Sequence, residues 1–354
     1  MGEFELIERF FKRRGTSSPN AGREAEHVKL GIGDDCALLQ PAPGTQLAIS
    51  SDMLVAGRHF FQEVDPAALG HKALAVNLSD LAACGARPLA FTLALALPEI
   101  DEPWLAAFSS GLFSLADTHG CALIGGDTTR GPLNICITVF GEVPVVNGRS
   151  QALLRSGARA GDDVYVSGNL GDARLALEAL TGKLTLDATL LLQTRARLER
   201  PTPRVALGLA LRGIASAAID VSDGLVGDFG HIMKASSVGA TLRTDSAFGL
   251  LAASSLRARA LASAATSSAA ATSTSSPAPL SPQHLLTCVL AGGDDYELAF
   301  TAPPAARAAV LAAAAATQTV VTRIGQVDAA PGLRLMDASG QPVANDFRAF
   351  DHFK

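Results

Sequence analysis

Six short acidic segments, each beside an apolar stretch, carry the residue types that could do chemistry. They are Gly33-Asp34-Asp35, Ser50-Ser51-Asp52, Ser79-Asp80, Gly125-Gly126-Asp127, Asp220-Val221-Ser222-Asp223 and Gly292-Gly293-Asp294-Asp295. Any one of them reads as an ordinary turn, because Asp and Gly favour turn geometries. Six in one chain change that reading. Carboxylates that converge repel one another and lose hydration, so a fold that gathers them needs divalent cations among them. Oxygen donors without Cys or His spacing point to Mg²⁺ or Mn²⁺. Magnesium commonly binds through one or two carboxylates together with substrate phosphates, so several such sites suggest a nucleoside triphosphate and a second phosphorylated substrate. Phosphoryl transfer is the chemistry that follows.

The familiar nucleotide signatures are missing from the sequence. No G-x-x-x-x-G-K-[ST] occurs, Gly182-Lys183 lacks both the earlier glycine and the following hydroxyl, and no G-x-G-x-x-G follows a strand. Protein-kinase motifs are also missing. A net charge of -5 offers no basic field for nucleic acid, so phosphate must be held by a local device or a metal. The five cysteines (Cys36, Cys84, Cys121, Cys136, Cys288) form no C-x-x-C pair and read as small buried residues in a reducing compartment. The first fourteen residues lack the pattern of a secretory signal, and the Ala-rich stretch 305–316 is too short to span a bilayer. A cytoplasmic enzyme without membrane segments is expected.

These residues must be positioned by a mixed α/β (α+β) chain. Apolar periodicity predicts helices over 3–13, 72–84, 102–119, 172–180 and 190–198, and strands over 46–50, 89–97, 121–124, 133–143, 163–167 and 217–221. Gly120 closes the third of these helices in sequence position. The Gly-, Pro-, Asn- and Arg-rich stretch 143–161 marks a boundary, giving domains 1–148 and 149–354. Residues 252–282 collapse to Ala, Ser, Thr and Pro and read as a loop-like insert. Order returns at Leu285, and Phe347, Phe350, His352 and Phe353 form a closing aromatic cluster.

In order along the chain stand Gly2-Glu3-Phe4, Gly31-Ile32-Gly33-Asp34-Asp35-Cys36-Ala37, the run from Ser51-Asp52 through Gly57-Arg58-His59-Phe60, and the run from Lys72 through Asn77-Leu78-Ser79-Asp80 to Ala83. Ile124-Gly125-Gly126-Asp127-Thr128-Thr129-Arg130-Gly131, Ile219-Asp220-Val221-Ser222-Asp223-Gly224-Leu225 and Asp295-Tyr296-Glu297-Leu298 follow. Together they cover nearly the whole chain, which resembles the bacterial thiamine-monophosphate kinase family within the wider aminoimidazole ribonucleotide synthetase-like superfamily of ATP-using enzymes.

The resemblance implies a homodimer, with an N-terminal α/β domain whose sheet joins the partner's, a C-terminal α/β domain over the nucleotide, and an active site between them. It implies metal ligation by Asp35, Ser50, Ser51, Asp52, Asp80, Asp127, Asp220 and Asp223, with Asp35, Asp52, Asp80, Asp127 and Asp220 carrying catalysis. ATP would meet Gly126, Asp127, Arg155, Ser222 and Phe108, while thiamine monophosphate would meet His59, Asp294 and Phe350. Here Asp294 replaces the usual Glu, so its carboxylate reaches about one methylene less far and a water can bridge the gap. Phe350 keeps a flat face against a cationic ring but lacks the polar handle of Tyr or Trp. His59 could equally cap a turn, and Arg155 could be a solvated charge, although its planar fork suits phosphate oxygens. Cys36 stands beside acids that raise a thiol pKa, which argues against a nucleophile. Two other readings remain open: a different small phosphorylated substrate, or a non-catalytic metal or nucleotide binder.

Overall fold

The computed structural model describes residues 2–13, 26–252 and 280–348, which fall into two compact units. The first comprises Met1–Ala152 with Thr202–Arg212, the second Leu153–Pro201 with Gly213–Lys354.

In the first unit, α1 (Glu3–Leu6) runs on into a π-helical turn, Ile7–Phe11, and β1 (Val28–Leu30) pairs with β2 (Leu38–Leu39). The scaffold proper is β3 (Thr45–Val55), α2 (Pro66–Ala83), β4 (Arg87–Leu97), α3 (Glu102–His119), β5 (Ala122–Arg130) and β6 (Asn134–Val146). The short β7 (Arg149–Ser150) pairs with β6. The sheet order is β3-β6-β4-β5, antiparallel except for the parallel pair β4/β5. On β3, Ser50, Asp52 and buried Leu54 face α2, while Leu47, Ile49 and Met53 alternate onto the opposite face, where they are 42%, 60% and 55% exposed.

Local chemistry explains the helix limits. Asp65 accepts from the backbone N–H of Ala68, and Pro66 supplies the pre-set φ of a first helical residue, so α2 begins six residues before its apolar periodicity becomes evident. Asp101 caps α3 through Trp104 N–H, and Gly120 ends it at φ 60°. Helices α2 and α3 cross at bare backbone: a Cβ on Gly70 would lie 2.0 Å from the Phe108 carbonyl oxygen, and one on Gly111 1.9 Å from that of Ala67. Gly111→Ala is therefore expected to cost about 2–3 kcal/mol, because backbone rather than a flexible side chain must move. Urea unfolding checks this; an unchanged midpoint would mean that the helices separate without penalty.

The second unit contains β8 (Asp163–Ser167), α4 (Asp172–Leu180) and α5 (Ala188–Glu199), after which α6 (Val205–Ala210) returns to the first unit and packs on α2. Next come β9 (Ala217–Val221), α7 (Leu225–Ser236), β10 (Gly239–Arg243), α8 (Thr244–Phe248), α9 (Pro282–Ala291), β11 (Glu297–Ala302), α10 (Arg307–Ala316), β12 (Val321–Asp328), β13 (Gly332–Met336) and β14 (Pro342–Val343). Its seven strands run β14-β13-β10-β12-β8-β11-β9. Strands β8, β9 and β11 are buried at every residue, as expected of strands covered on both faces. Val166, Ile219, Phe229, Ile232, Leu285 and Val289 are among the residues of the core. Asp163, 1% exposed, is tied to Arg307 (2.6 and 2.9 Å) and Arg323 (3.1 Å), and these guanidinium hydrogen bonds hold its carboxyl below the usual carboxylate range despite burial.

Several expectations need correction. Ser50-Ser51-Asp52 and Gly125-Gly126-Asp127 are not turns but lie within β3 and β5, and Ser79-Asp80 lies in the last turn of α2. Of the cysteines, Cys121 and Cys288 are buried, Cys84 and Cys136 are half-buried, and Cys36 is exposed. Most of the insert at 252–282 lies outside the described residues, as do Phe350, His352 and Phe353; Phe347 is buried. No described helix is long and apolar enough to cross a membrane.

Candidate active site

The first unit builds one compact oxygen cluster where β3 passes α2. Two β3 residues on one face, Ser50 and Asp52, meet two α2 residues one turn apart, Asp80 and Asn77. Ser50 Oγ donates to Asp80 Oδ2 at 2.5 Å. The Asn77 amide oxygen accepts from Asp52 N–H at 3.0 Å while its Nδ2 donates to the Ala73 carbonyl at 3.0 Å, so buried Asn77 fixes the Asp52 backbone. Asn77 had no assigned role in the sequence, although it stands inside the motif that ends at Asp80. Ser51 points the other way and shares a 3.0 Å hydrogen bond with Thr138.

Asp127 does not join this cluster. It is exposed, and its register row reads Asp127, Ala94, Cys136, Met53 across the sheet, which puts it three strands from β3, about 14 Å, on the face bearing Met53. The backbone before it is held by Gly126 at φ 143°, where a Cβ would lie 1.8 Å from the Leu93 carbonyl oxygen. Asp35 is exposed in the loop joining β1 to β2, its N–H bonded to Asp34 Oδ1 at 2.9 Å. Ala37, two residues on, packs with Leu89, Ala90 and Ile124. Ser50, Asp52 and Asp80 are thus brought together by β3 and α2, while Asp127 lies across the sheet from them.

His59 closes the turn after β3: its Nδ1 accepts from Val55 N–H at 3.0 Å, which leaves the ring proton on Nε2 when the imidazole is neutral. Phe108, expected beside an adenine, is fully buried in α3 with its ring stacked on Trp104 at 4.9 Å, so it has no surface open to a ligand.

In the second unit two distant loops dock through backbone. Asp294 N–H donates to the Ser222 carbonyl and Tyr296 N–H to that of Val221, both at 2.8 Å. Asp294 (φ 65°) and Tyr296 (φ 51°) are both left-handed, an uncommon conformation for such residues that these two bonds help to fix. Ser222, Asp223 and Asp294 are thereby gathered, with Asp220 two residues earlier at the end of β9. Arg155 is exposed, and its carbonyl accepts from Ser236 Oγ at 3.2 Å.

Sequence reasoning missed the residue that organises this loop. Asp228, in the first turn of α7, accepts through Oδ2 from the N–H groups of Ser222, Asp223 and Gly224, each at 3.0 Å. Burial pushes its pKa up to about 7 against those donors. The available signal was an acid in the opening turn of a helix that follows Gly224. Asp295 is likewise structural: it is buried, accepts from Gly171 N–H at the start of α4, and burial raises its pKa.

Comparison with known proteins places these features in a family. Residues 33–143 match the family model for the N-terminal domain of AIR synthase related proteins, and residues 159–338 match the model for the C-terminal domain. Thiamine-monophosphate kinase of Salmonella typhimurium is 45% identical over 357 residues, covering 99% of this chain and 98% of that protein; that of Escherichia coli K12 is 44% identical with the same coverage. Among solved structures, thiamine-monophosphate kinase from Stenotrophomonas maltophilia is 43% identical with a TM-score of 0.78, covering 97% of this chain and 98% of that one. AaThiL complexed with AMPPCP and TMP is 27% identical with a TM-score of 0.70, covering 97% of this chain and all of that one. With near-complete coverage by both sequence and fold, the chain belongs to the thiamine-monophosphate kinase family, built on the paired N- and C-terminal domains of AIR synthase related proteins.

Proposed function

We propose that this chain transfers the γ-phosphoryl group of ATP to the phosphate of thiamine monophosphate, giving thiamine diphosphate and ADP. The observation that carries this is the 45% identity, over nearly its full length, to a thiamine-monophosphate kinase. The complex of AaThiL with AMPPCP and TMP supports the same pair of substrates.

In the reaction, a phosphate oxygen of the acceptor attacks the γ-phosphorus in line. One P–O bond forms as the bond to the β,γ-bridging oxygen breaks, and ADP leaves. No side-chain base is needed, because a phosphate monoester with a second pKa near 6 is largely deprotonated at neutral pH. The difficulty is the meeting of two anions, so catalysis rests on positioning and charge. Ser50 and Asp80, with Asp52 on the same face of β3, offer oxygen donors only, which fits a hard cation. Mg²⁺, when bound, supplies positive charge opposite the phosphates. Asn77 keeps the Asp52 backbone in place, and Asp228 keeps the 222–224 loop in the conformation that displays Ser222 and Asp223. The shared loop geometry brings Asp294 to the same place, which supports its contact with the acceptor. The exposed apolar row Leu47, Ile49 and Met53 supports pairing of two copies through the first unit.

Incubating the protein with ATP, Mg²⁺ and thiamine monophosphate should yield thiamine diphosphate and ADP in equal amounts. Parallel reactions with free thiamine and formylglycinamidine ribonucleotide should show no comparable turnover. ADP release with either of these and none with thiamine monophosphate would overturn the assignment.

A further inference from the structure

Helices α4 and α9 bring together a second, chemically different set of donors. His284 and Cys288 stand four residues apart on one face of α9, and Glu178 reaches them from the last turn of α4. The imidazole, thiol and carboxylate each offer a ligand atom within 4.8 Å of the other two. His284 Nε2 lies 2.7 Å from Glu178 Oε2. The other carboxylate oxygen, Oε1, is taken by Arg174 Nε at 2.8 Å, which fixes the orientation of the group and leaves Oε2 turned toward His284. Glu178 and Cys288 are buried, whereas the His284 side chain is 37% exposed and gives a path from solvent.

We propose that Glu178, His284 and Cys288 form a binding site for one borderline-soft divalent cation of the zinc class. A nitrogen, a sulfur and an oxygen on two neighbouring helices suit Zn²⁺ or Co²⁺ and do not suit Mg²⁺, which prefers oxygen and an octahedral shell. Zinc-ligand bonds of about 2.0–2.3 Å set neighbouring ligand atoms roughly 3.3–3.7 Å apart, so the cation replaces the hydrogen bond between His284 and Glu178 and draws the sulfur in. A water takes the fourth position on the open side of His284. Arg174 then plays the part that outer hydrogen-bonding partners play at metal centres, holding the ligating carboxylate in one orientation. Binding expels the thiol proton, so affinity rises with pH. The site owes nothing to the phosphoryl-transfer reading, since none of its residues belongs to that donor set.

Cobalt is the probe. The full-length protein, stripped with a chelator and kept in excess Mg²⁺, is titrated with Co²⁺ and followed by absorption. One equivalent should produce a thiolate-to-cobalt charge-transfer band and intense four-coordinate ligand-field bands, both reversed by Zn²⁺. His284→Ala should weaken binding by at least tenfold, on the order of what loss of a supporting residue alone costs at metal sites. Cys288→Ala should abolish the charge-transfer band, and Cys36→Ala should leave it unchanged. Should Cys288→Ala fail to fold, the half-exposed His284 variant still decides. The proposal is overturned if no thiolate band appears, if the band follows Cys36, or if His284→Ala leaves it unaltered.

Discussion

Asp80→Asn is expected to lower kcat for thiamine diphosphate formation by about 10²–10³-fold, the scale on which loss of one charge-stabilising group acts in an enclosed site. The substitution isolates charge from shape. Asp80 Oδ2 accepts the Ser50 hydroxyl at 2.5 Å, and an Asn carbonyl oxygen at that position accepts the same bond. Ser50, α2 and the Asn77 link to Asp52 therefore stay as they are, and one negative charge leaves the oxygen cluster. The unfolding midpoint in urea should be unchanged, and steady-state turnover should fall at every Mg²⁺ concentration, least at the highest. A variant with near-normal kcat at limiting Mg²⁺ would remove Asp80 from the machinery and leave the β3/α2 cluster a structural contact.

Arg197→Ala is expected to cost about 3 kcal/mol of stability, the lower end of what breaking a buried ion pair costs, because the arginine keeps some exposure. Its Nη2 lies 2.8 Å from Oε1 of Glu297, which has no exposed surface, and Ser167 Oγ donates to the other carboxylate oxygen at 2.6 Å. The same serine hydroxyl accepts from Leu298 N–H at 2.8 Å, so the carboxylate sits at the point where β8 and β11 are stitched together. Removing the arginine takes a positive group away from a fully buried carboxylate. The double variant Arg197→Ala with Glu297→Gln should recover part of the loss, since the buried negative charge goes with the arginine. Urea unfolding of the two single variants and the double measures the coupling. Strict additivity would mean that the pair contributes nothing as a pair.

These two sites show what the residues disclosed and what they withheld. The limits of α3 were legible because Asp101, Pro103 and Gly120 are local signals that act within one turn. The buried strands β8 and β9 were legible because apolar runs of that length have few other uses. The motif around Asp80 was legible as chemistry, yet its neighbours Ser50 and Asp52 were read as a turn. Turn formers inside a strand announce themselves only through the partner strand, and here β6 pairs with β3 along its entire length. Phe108 looked like a surface for a base, but its burial is decided by Gly70 on another helix, which lets α2 approach the Phe108 backbone. Asn77, Asp228 and Arg197 were passed over for a common reason: each acts on a group distant in sequence or on backbone, and neither kind of partner shows in residue spacing. Glu297 teaches the reverse, since a motif residue that helped to identify the family is engaged in holding strands.

The return of α6 to the first unit has a consequence for anyone wishing to divide the molecule. A Cβ on Gly208 would lie 2.0 Å from the Ala82 carbonyl oxygen, so α6 rests directly on the backbone of α2. The chain therefore passes from one body to the other three times, after residues 152, 201 and 212. No single cleavage yields two whole pieces: a fragment ending at Ala152 strips the cover from α2, and the remainder carries an orphan helix with nothing of its own to rest on. Expression of either half alone should give insoluble or proteolysed material.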